Sequence, residues 1–235
     1  MSKRFLAALF LIAAPRILLA DGLAVDKVYH PYVQPLEREF EYRSSWLEDD
    51  DAQLDGLQSH RLGYGASLSD RWFAEFYVIG SKEKGHSLSL DAYEAELKWQ
   101  LTEQGEYAVD WGLLFELEIE RQNNVREYST TLLMEKEFGR WAGTLNISAI
   151  YEWGSDIRNE WETAAAGQLR YRYTRGFEPA LEVYSSELTK GMGPVALGTV
   201  PFSGARKLHW EAGLIFAMDS DSPDKTLRLS LEYEF

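Results

Sequence analysis

The feature that most constrains this chain is a hydrophobic pattern of period two that recurs from residue 36 to the C-terminus. In residues 107–120, alternate positions carry Tyr, Val, Trp, Leu, Phe, Leu and Ile, and the positions between them carry Ala, Asp, Gly, Leu and three Glu. A helix would mix these two sets around its circumference, whereas a strand points successive side chains to opposite faces. Residues 141–153, 208–218 and 227–235 alternate in the same way. The pattern predicts an all-β chain.

Strand length and the placement of aromatic residues indicate which face of these strands is turned to lipid and which to water. Segments such as 107–120 exceed the ~5–6 residues usual in soluble sheets and suffice for the ~9–11 that cross a bilayer at a tilt. Large rings fall near strand ends on the apolar face, where an interfacial girdle belongs. The predicted girdle is Trp72, Trp99, Trp141, Trp153, Trp161, Trp210 and Tyr233. Both observations favour an apolar face turned outward to lipid over a soluble barrel or sandwich.

The last nine residues carry a more specific signal. Residues 227–235 alternate between apolar and polar side chains and end on the aromatic Phe235. This segment resembles the C-terminal assembly signal of outer-membrane β-barrel proteins of Gram-negative bacteria. The resemblance implies an antiparallel transmembrane β-barrel in the outer membrane, with lipid and the barrel assembly machinery as partners. It also implies that both termini of the barrel face the periplasm.

Termini on one side require an even number of strands, and twelve are predicted, with ten as the alternative. The weakest segment, 194–202, carries Pro194, Gly198 and Pro201, which are poor strand residues, but without it the count is odd. Short turns are predicted at 69–71, 102–106, 139–140, 174–176 and 203–205. The predicted strands are 36–46, 58–68, 72–80, 88–101, 107–120, 125–138, 141–154, 160–173, 177–186, 194–202, 206–218 and 226–235.

The N-terminus has the pattern of a secretory signal peptide. Lys3 and Arg4 precede an apolar run over residues 5–14, which is too short to span a bilayer. We predict a signal peptide over residues 1–20, with cleavage possible as late as Ala24, and the barrel domain over 36–235. Residues 21–35 are predicted to be extended, either in the periplasm or folded into the barrel mouth.

Composition narrows the function. Asp and Glu outnumber Lys and Arg by 38 to 24, for a net charge of −14, and such a chain lacks the basic face that a nucleic acid requires. The chain has no cysteine, which excludes disulfides and thiolate metal sites. The four histidines, His30, His60, His86 and His209, lie beside no recognisable nucleophile motif. His209 and Glu211 could share a metal, but such pairs are more often ordinary lumen residues. We therefore predict no enzyme activity, no cofactor and no metal.

With the apolar face outward, the alternate positions line or fill the barrel lumen. The predicted acidic lumen residues are Glu94, Glu96, Glu116, Glu118, Glu120, Glu135 and Glu137, and the basic ones are Arg43, Arg61, Arg170, Arg172, Lys207 and Arg228. This predicts an acidic wall facing a mixed one, as in a channel or transporter for small polar or cationic solutes. The alternative is a closed structural or anchoring barrel, filled by ion pairs, whose loops bind a partner.

Overall fold

The computed structural model describes residues 25–52, 54–121, 124–155, 157–187 and 189–235. The predicted signal peptide and its cleavage site lie outside these residues. Twelve antiparallel strands pair in sequence order, and the last pairs with the first to close a barrel. The predicted all-β barrel of twelve strands, rather than ten, is confirmed. The strands are β1 (Arg38–Glu48), β2 (Gln58–Ser67), β3 (Trp72–Lys82), β4 (Ser89–Gln100), β5 (Asp110–Glu120), β6 (Arg126–Phe138), β7 (Trp141–Trp153), β8 (Glu160–Tyr171), β9 (Glu178–Ser185), β10 (Lys190–Pro201), β11 (Lys207–Ala217) and β12 (Lys225–Glu234).

The strand with the poorest sequence signal, β10, is longer than predicted, because it begins at Lys190 rather than at residue 194. Pro194 pairs in register with Leu181 of β9, but the register to β11 passes from Met192 directly to Val195. Proline has no backbone N–H to donate there. A Cβ on Gly193 would lie 1.9 Å from the Leu214 carbonyl oxygen, so a close backbone approach explains the glycine. Local propensity disfavours this strand, and pairing on both sides maintains it.

The chain termini and the connections between strands distinguish the two ends of the barrel. Arg38 and Phe235 lie at the same end, where the Phe235 amide donates to the Arg38 carbonyl at 2.9 Å. We call this the periplasmic end, as the C-terminal signal implies. Its connections are residues 68–71, 101–109, 139–140, 172–177 and 202–206, and those at the opposite, extracellular end are 49–57, 83–88, 121–125, 154–159, 186–189 and 218–224. Within the described ranges, no helix has the length and apolarity of a membrane span.

Apolar side chains cover the outside of the barrel. Leu62, Phe76 and Ile147, each near the middle of a strand, are about half exposed. Aromatic rings flank this belt at both ends. Trp72 stacks on Trp99 with ring centroids 4.9 Å apart, and Trp141 contacts Tyr171 at the same distance, both at the periplasmic end. The remaining predicted girdle residues also lie toward strand ends. Trp210 and Tyr233 are toward the periplasmic end, and Trp153 and Trp161 are at the extracellular end.

Candidate functional site in the barrel lumen

The lumen holds a segment of the chain itself. Residues 25–35, which we call the plug segment, run from the periplasmic end into the barrel interior. The segment joins β1 through Leu36, whose backbone is left-handed with φ 66°. At the periplasmic mouth, Gln34 makes two contacts with the wall. Its backbone carbonyl accepts a hydrogen bond from the Ser67 hydroxyl, and the Oε1 of its side chain accepts one from Lys207 at 3.0 Å. The sequence left residues 21–35 either in the periplasm or folded into the barrel mouth, and the described part of this stretch, residues 25–35, lies inside the barrel.

Apolar contacts seat the plug segment at two places. Val28 is 1% exposed and packs, with Val25, in one cluster of residues from β9, β10 and β11. Tyr29 packs in a second cluster against Leu114 of β5 and Leu133 of β6. The cluster residues on β9 to β11 are Tyr184, Val195, Leu197 and Ile215. These side chains interrupt the polar inner face of their strands, and that interruption is a sequence signal for a segment filling the lumen.

Hydrogen bonds hold the centre of the plug segment at Tyr29. Its backbone N–H donates to Asn146 Oδ1 at 2.7 Å, and Asn146 Nδ2 donates back to its carbonyl at 2.9 Å. Its hydroxyl donates to Glu96 Oε1 at 2.8 Å and accepts from Arg43 Nη1 at 2.7 Å. Tyr29 is thereby tied to three strands, β7, β4 and β1. Peptide groups buried inside a barrel need such partners because water is excluded.

Charged contacts fix the rest of the segment. Asp26 accepts a hydrogen bond from Arg43 at 2.6 Å. Lys27 bridges Glu41 and Glu232 with N–O distances of 2.9 and 3.2 Å. Nearer the periplasmic end, His30 contacts Glu135, the Tyr32 hydroxyl donates to Asp110 at 2.8 Å, and the Val33 amide donates to Gln100 at 2.7 Å. The plug segment therefore uses the lumen carboxylates as its own binding groups.

Carboxylates on the inner wall follow two neighbouring cross-strand rows, which together we call the acidic ladder. Pairing in register aligns Glu41 with Tyr77 and Glu94 along one row, and Glu39 with Glu75 and Glu96 along the other. The first row contains Glu232, Glu41, Glu94, Glu118, Glu127, Glu152 and Glu160, and the second contains Glu234, Glu39, Glu75, Glu96, Glu116 and Glu162.

The acidic ladder climbs the wall because strands in a closed barrel are tilted and staggered. Glu39 lies one residue from the periplasmic start of β1, whereas Glu152 lies one residue from the extracellular end of β7. Glu96, in the same row as Glu39, lies near the middle of β4. The two rows therefore connect the two mouths of the barrel along a spiral path.

The predicted acidic lumen residues divide into three groups. Glu94, Glu96, Glu116 and Glu118 lie on the acidic ladder, and Glu120 ends β5 beside it at the extracellular end. Glu135 is 1% exposed and faces His30 of the plug segment. Glu137 lies at the periplasmic end of β6, where its side chain is partly exposed and pairs with Arg172 at 3.0 Å.

The predicted basic residues all contact carboxylates. Arg61 donates to both oxygens of Glu94, at 2.9 and 2.8 Å. Arg43 bonds Glu96 at 2.9 Å, Lys207 bonds Glu234 at 2.6 Å, and Arg170 lies 3.7 Å from Glu135 and 3.5 Å from Glu178. Arg228 contacts Glu182 at 2.5 Å and Glu211 at 2.9 Å. The sequence analysis did not identify Glu182, which is fully buried, although its alternation with the apolar Leu181 and Val183 indicates an inward side chain.

His209 and Glu211, considered as a possible metal pair, have different partners. His209 contacts the Thr199 hydroxyl through Nδ1 at 2.8 Å and Glu234 through Nε2 at 2.6 Å. Glu211 accepts a hydrogen bond from Arg228 at 2.9 Å. Each side chain therefore belongs to a separate contact on the inner wall.

An acidic vestibule lies between the plug segment and the extracellular mouth. It has a volume of about 180 Å³, and Tyr29 contributes to its floor. Its charged lining consists of six carboxylates, from Asp26, Glu94, Glu116, Glu118, Glu127 and Glu162, and two basic groups, from Lys27 and Arg61. A cleft lined mainly by one sign of charge between low-dielectric walls focuses the field.

Comparisons with known proteins agree with this architecture. No protein-family model and no curated protein sequence matches this chain. Among solved structures, an outer-membrane channel from Pseudomonas putida F1 matches with a TM-score of 0.58 at 17% identity, over 88% of this chain and 97% of that chain. The KdgM porin in complex with disordered oligogalacturonate matches with a TM-score of 0.57 at 12% identity, over 84% and 99%. The NanC porin matches with a TM-score of 0.52 at 9% identity, over 83% and 98%. This chain therefore has the fold of outer-membrane β-barrel porins.

Proposed function

We propose that this protein is an outer-membrane channel for small cationic or polar solutes, which enter through the acidic vestibule and move along the acidic ladder. The observation that carries the proposal is the ladder itself, because its carboxylates connect the two mouths of the barrel. The fold of the described residues supports a channel, and the vestibule lining supports a preference for cations. The proposal assigns no reaction to this chain.

The acidic ladder destabilises the sheet, so a structural role alone does not explain it. Residues directly opposite in an antiparallel pair have Cβ atoms about 4.5–5.5 Å apart, and like charges at that distance destabilise the sheet. Glu94 lies opposite Glu118, and Glu96 lies opposite both Glu75 and Glu116. A structural wall would alternate acidic and basic residues at these positions. A path for cations explains the repetition, because carboxylates of the two rows lie on neighbouring strands from β3 to β8 and again on β12 and β1, with β2 as the interruption at Gly63 and Gly65.

The plug segment restricts this path. It occupies the lumen beneath the vestibule, where Pro31 approaches the wall so closely that a Cβ on Gly112 would lie 3.0 Å from it. Solutes therefore reach the periplasm only around the segment or after it moves. We expect a small conductance for the full chain and a larger one for a variant that lacks residues 25–35.

Planar-bilayer recordings under a KCl gradient test the proposal. We expect a reversal potential on the cation-selective side for the wild type and for the variant lacking the plug segment. Replacing Glu118 and Glu127 together by Gln is expected to lower that selectivity. Replacing Glu103 and Glu106 together by Gln, which removes the same two charges from an exposed periplasmic turn, is the matched control. Anion selectivity, or no conductance with and without the plug segment, contradicts the proposal.

A closed structural barrel that binds a partner through its loops is the second candidate. The buried contacts of the plug segment favour it, since Tyr29 alone is tied to three strands. In that case the acidic loop, residues 48–51, is a candidate partner surface. Absence of conductance in both proteins, with the barrel folded, would support this candidate over the channel.

We also propose the partners that the C-terminal resemblance implied. The exposed apolar belt is the surface for outer-membrane lipid. Phe235 is 44% exposed and stacks on Phe40 with ring centroids 5.6 Å apart, so its ring is accessible to the barrel assembly machinery. Cell fractionation and heat-modifiability of the protein on gels, with Phe235→Ala as the variant, test both assignments. Unimpaired assembly of that variant would contradict the role of Phe235.

A further inference from the structure

Three carboxylates of the acidic ladder converge at the floor of the vestibule. Glu94, Glu96 and Glu116 can each offer one oxygen such that the three atoms lie within 4.8 Å of one another. Calcium binds oxygen ligands at about 2.3–2.6 Å, so two oxygens on one ion lie up to ~5 Å apart. The spacing of these three groups therefore suits one ion with oxygen ligands. Glu94 and Glu116 also line the vestibule, so the cluster is reached from the extracellular side.

An independent observation at Glu96 points to a missing ligand. Its side chain is 1% exposed. Its Oε1 accepts hydrogen bonds from the Tyr29 hydroxyl at 2.8 Å and from Arg43 at 2.9 Å. Its Oε2 is sealed from solvent and accepts no hydrogen bond from an N–H or O–H group of the described residues, and the Glu96 carboxyl lies within hydrogen-bonding reach of the Glu94 carboxyl. Two carboxylates this close require either a shared proton or a cation between them, and a cation would also satisfy the buried Oε2.

The charges around the cluster leave a negative excess. Glu75 and Glu118 flank the three carboxylates in the cross-strand rows. Two guanidinium groups contact this set, Arg43 at Glu96 and Arg61 at Glu94. Five carboxylates against two guanidinium groups leave a local field that favours a further positive charge. The existing contacts do not block coordination, because each carboxylate oxygen carries two lone pairs.

We propose that Glu94, Glu96 and Glu116 form a binding site for one hard divalent cation of the Ca²⁺ or Mg²⁺ type at the vestibule floor. The ion is cargo held in passage rather than a resident cofactor, and in this sense the inference rests on the proposed channel function. All-oxygen ligands select such ions over softer metals. The site also abuts the plug segment, because Oε1 of the same Glu96 carboxylate accepts hydrogen bonds from Tyr29 and Arg43.

Terbium luminescence tests the site on the full folded chain in detergent micelles. Tb³⁺ is a hard cation with oxygen ligands, and tyrosine excitation sensitises it at short range, so Tyr29 serves as the built-in donor. We expect sensitised emission that Ca²⁺ competes away. Glu96→Gln and Glu116→Gln, made separately, are each expected to weaken Tb³⁺ binding roughly tenfold or more, as loss of metal-site groups does. Glu103→Gln is expected to bind as the wild type does.

The outcomes separate the site from general attraction to an acidic protein. Equal Tb³⁺ binding by wild type, Glu96→Gln and Glu116→Gln overturns the proposal, and so does an equal loss in Glu103→Gln. Heat-modifiability on gels shows that each variant is folded before titration. A channel that fails to conduct while this binding profile holds refutes the proposed function and leaves the site standing. Cation-selective conductance without the profile refutes the site alone.

Discussion

The attachment of the plug segment through the Tyr29 hydroxyl gives the sharpest prediction. Tyr29→Phe keeps the ring against Leu114 and Leu133 and removes one atom that bonds two charged groups. Hydrogen bonds to charged groups contribute about 1.5–3 kcal/mol each. Arg43 and Glu96 already contact each other at 2.9 Å and stay paired when the hydroxyl is lost. We therefore assign to the substitution the loss of about one such hydrogen bond, or about 2 kcal/mol.

That free energy sets the size of the expected effect. About 2 kcal/mol corresponds to a ~30-fold larger population of barrels with the plug segment displaced. The chain has no cysteine, so Val28→Cys introduces a single thiol at a position that is 1% exposed in the lumen. The rate at which a soluble maleimide labels this thiol reports the displaced population. We expect Tyr29→Phe to raise that rate about 30-fold, in line with the same free energy.

The matched control is Tyr42→Phe. The Tyr42 hydroxyl contacts His60 at 2.8 Å and has no contact with the plug segment, so the same chemical change is expected to leave the labelling rate unaltered. An unchanged rate in Tyr29→Phe would refute the role of the hydroxyl. Immediate labelling of Val28→Cys in the wild-type background would refute the placement of the segment in the lumen.

Three further predictions concern the wall and one loop. Arg228→Met removes the guanidinium partner of the buried Glu182 and of the partly buried Glu211, and we expect a loss of about 3–5 kcal/mol in the free energy of unfolding, measured by urea titration of tryptophan fluorescence. Gly193→Ala places a Cβ against a backbone carbonyl, so we expect a smaller folded fraction on gels, whereas Gly176→Ala, which has open space, keeps that of the wild type. The hydrogen bond from Lys84 holds the pKa of Asp55 below its usual range, so this contact stabilises the loop at neutral pH and is lost as pH falls through the lowered pKa. The rate of amide hydrogen exchange in the loop of residues 49–57 should rise at acid pH in the wild type, and Asp55→Asn should abolish that rise. A rise of equal size in both proteins would exclude this contact as the cause.

Local patterns were enough to predict the strands. Side chains alternate between the outer and the inner face of the barrel, so each strand carries the period of two in its own sequence, independently of its neighbours. For this reason β7 was located to within one residue, and β5 ends where it was predicted to end but begins three residues later, at Asp110. β10 was predicted to begin too late, because Gly191 and Gly193 have low local propensity and are held by the neighbouring strands.

The plug segment could not be placed from sequence in the same way. Residues 25–35 form no helix or strand and carry no period, and their partners are distant in the chain, as the contact between Tyr29 and Asn146 illustrates. The local sign was on the other side of the contact, where apolar side chains such as Leu114, Leu133 and Ile215 lie on otherwise polar inner faces. A segment that has no regular structure of its own acquires a position only from the cavity that receives it.

The sequence by itself determined that this chain is a barrel with an apolar outside and an acidic inside, because alternation and residue type are properties of single strands. The tertiary structure alone decided how the acidic residues are arranged. Every member of the ladder is visible in the sequence, but their alignment into two climbing rows depends on cross-strand register and on the tilt imposed by closure. It also decided that Glu94, Glu96 and Glu116 meet above Tyr29, since residues on different strands become neighbours only when the barrel closes around the plug segment.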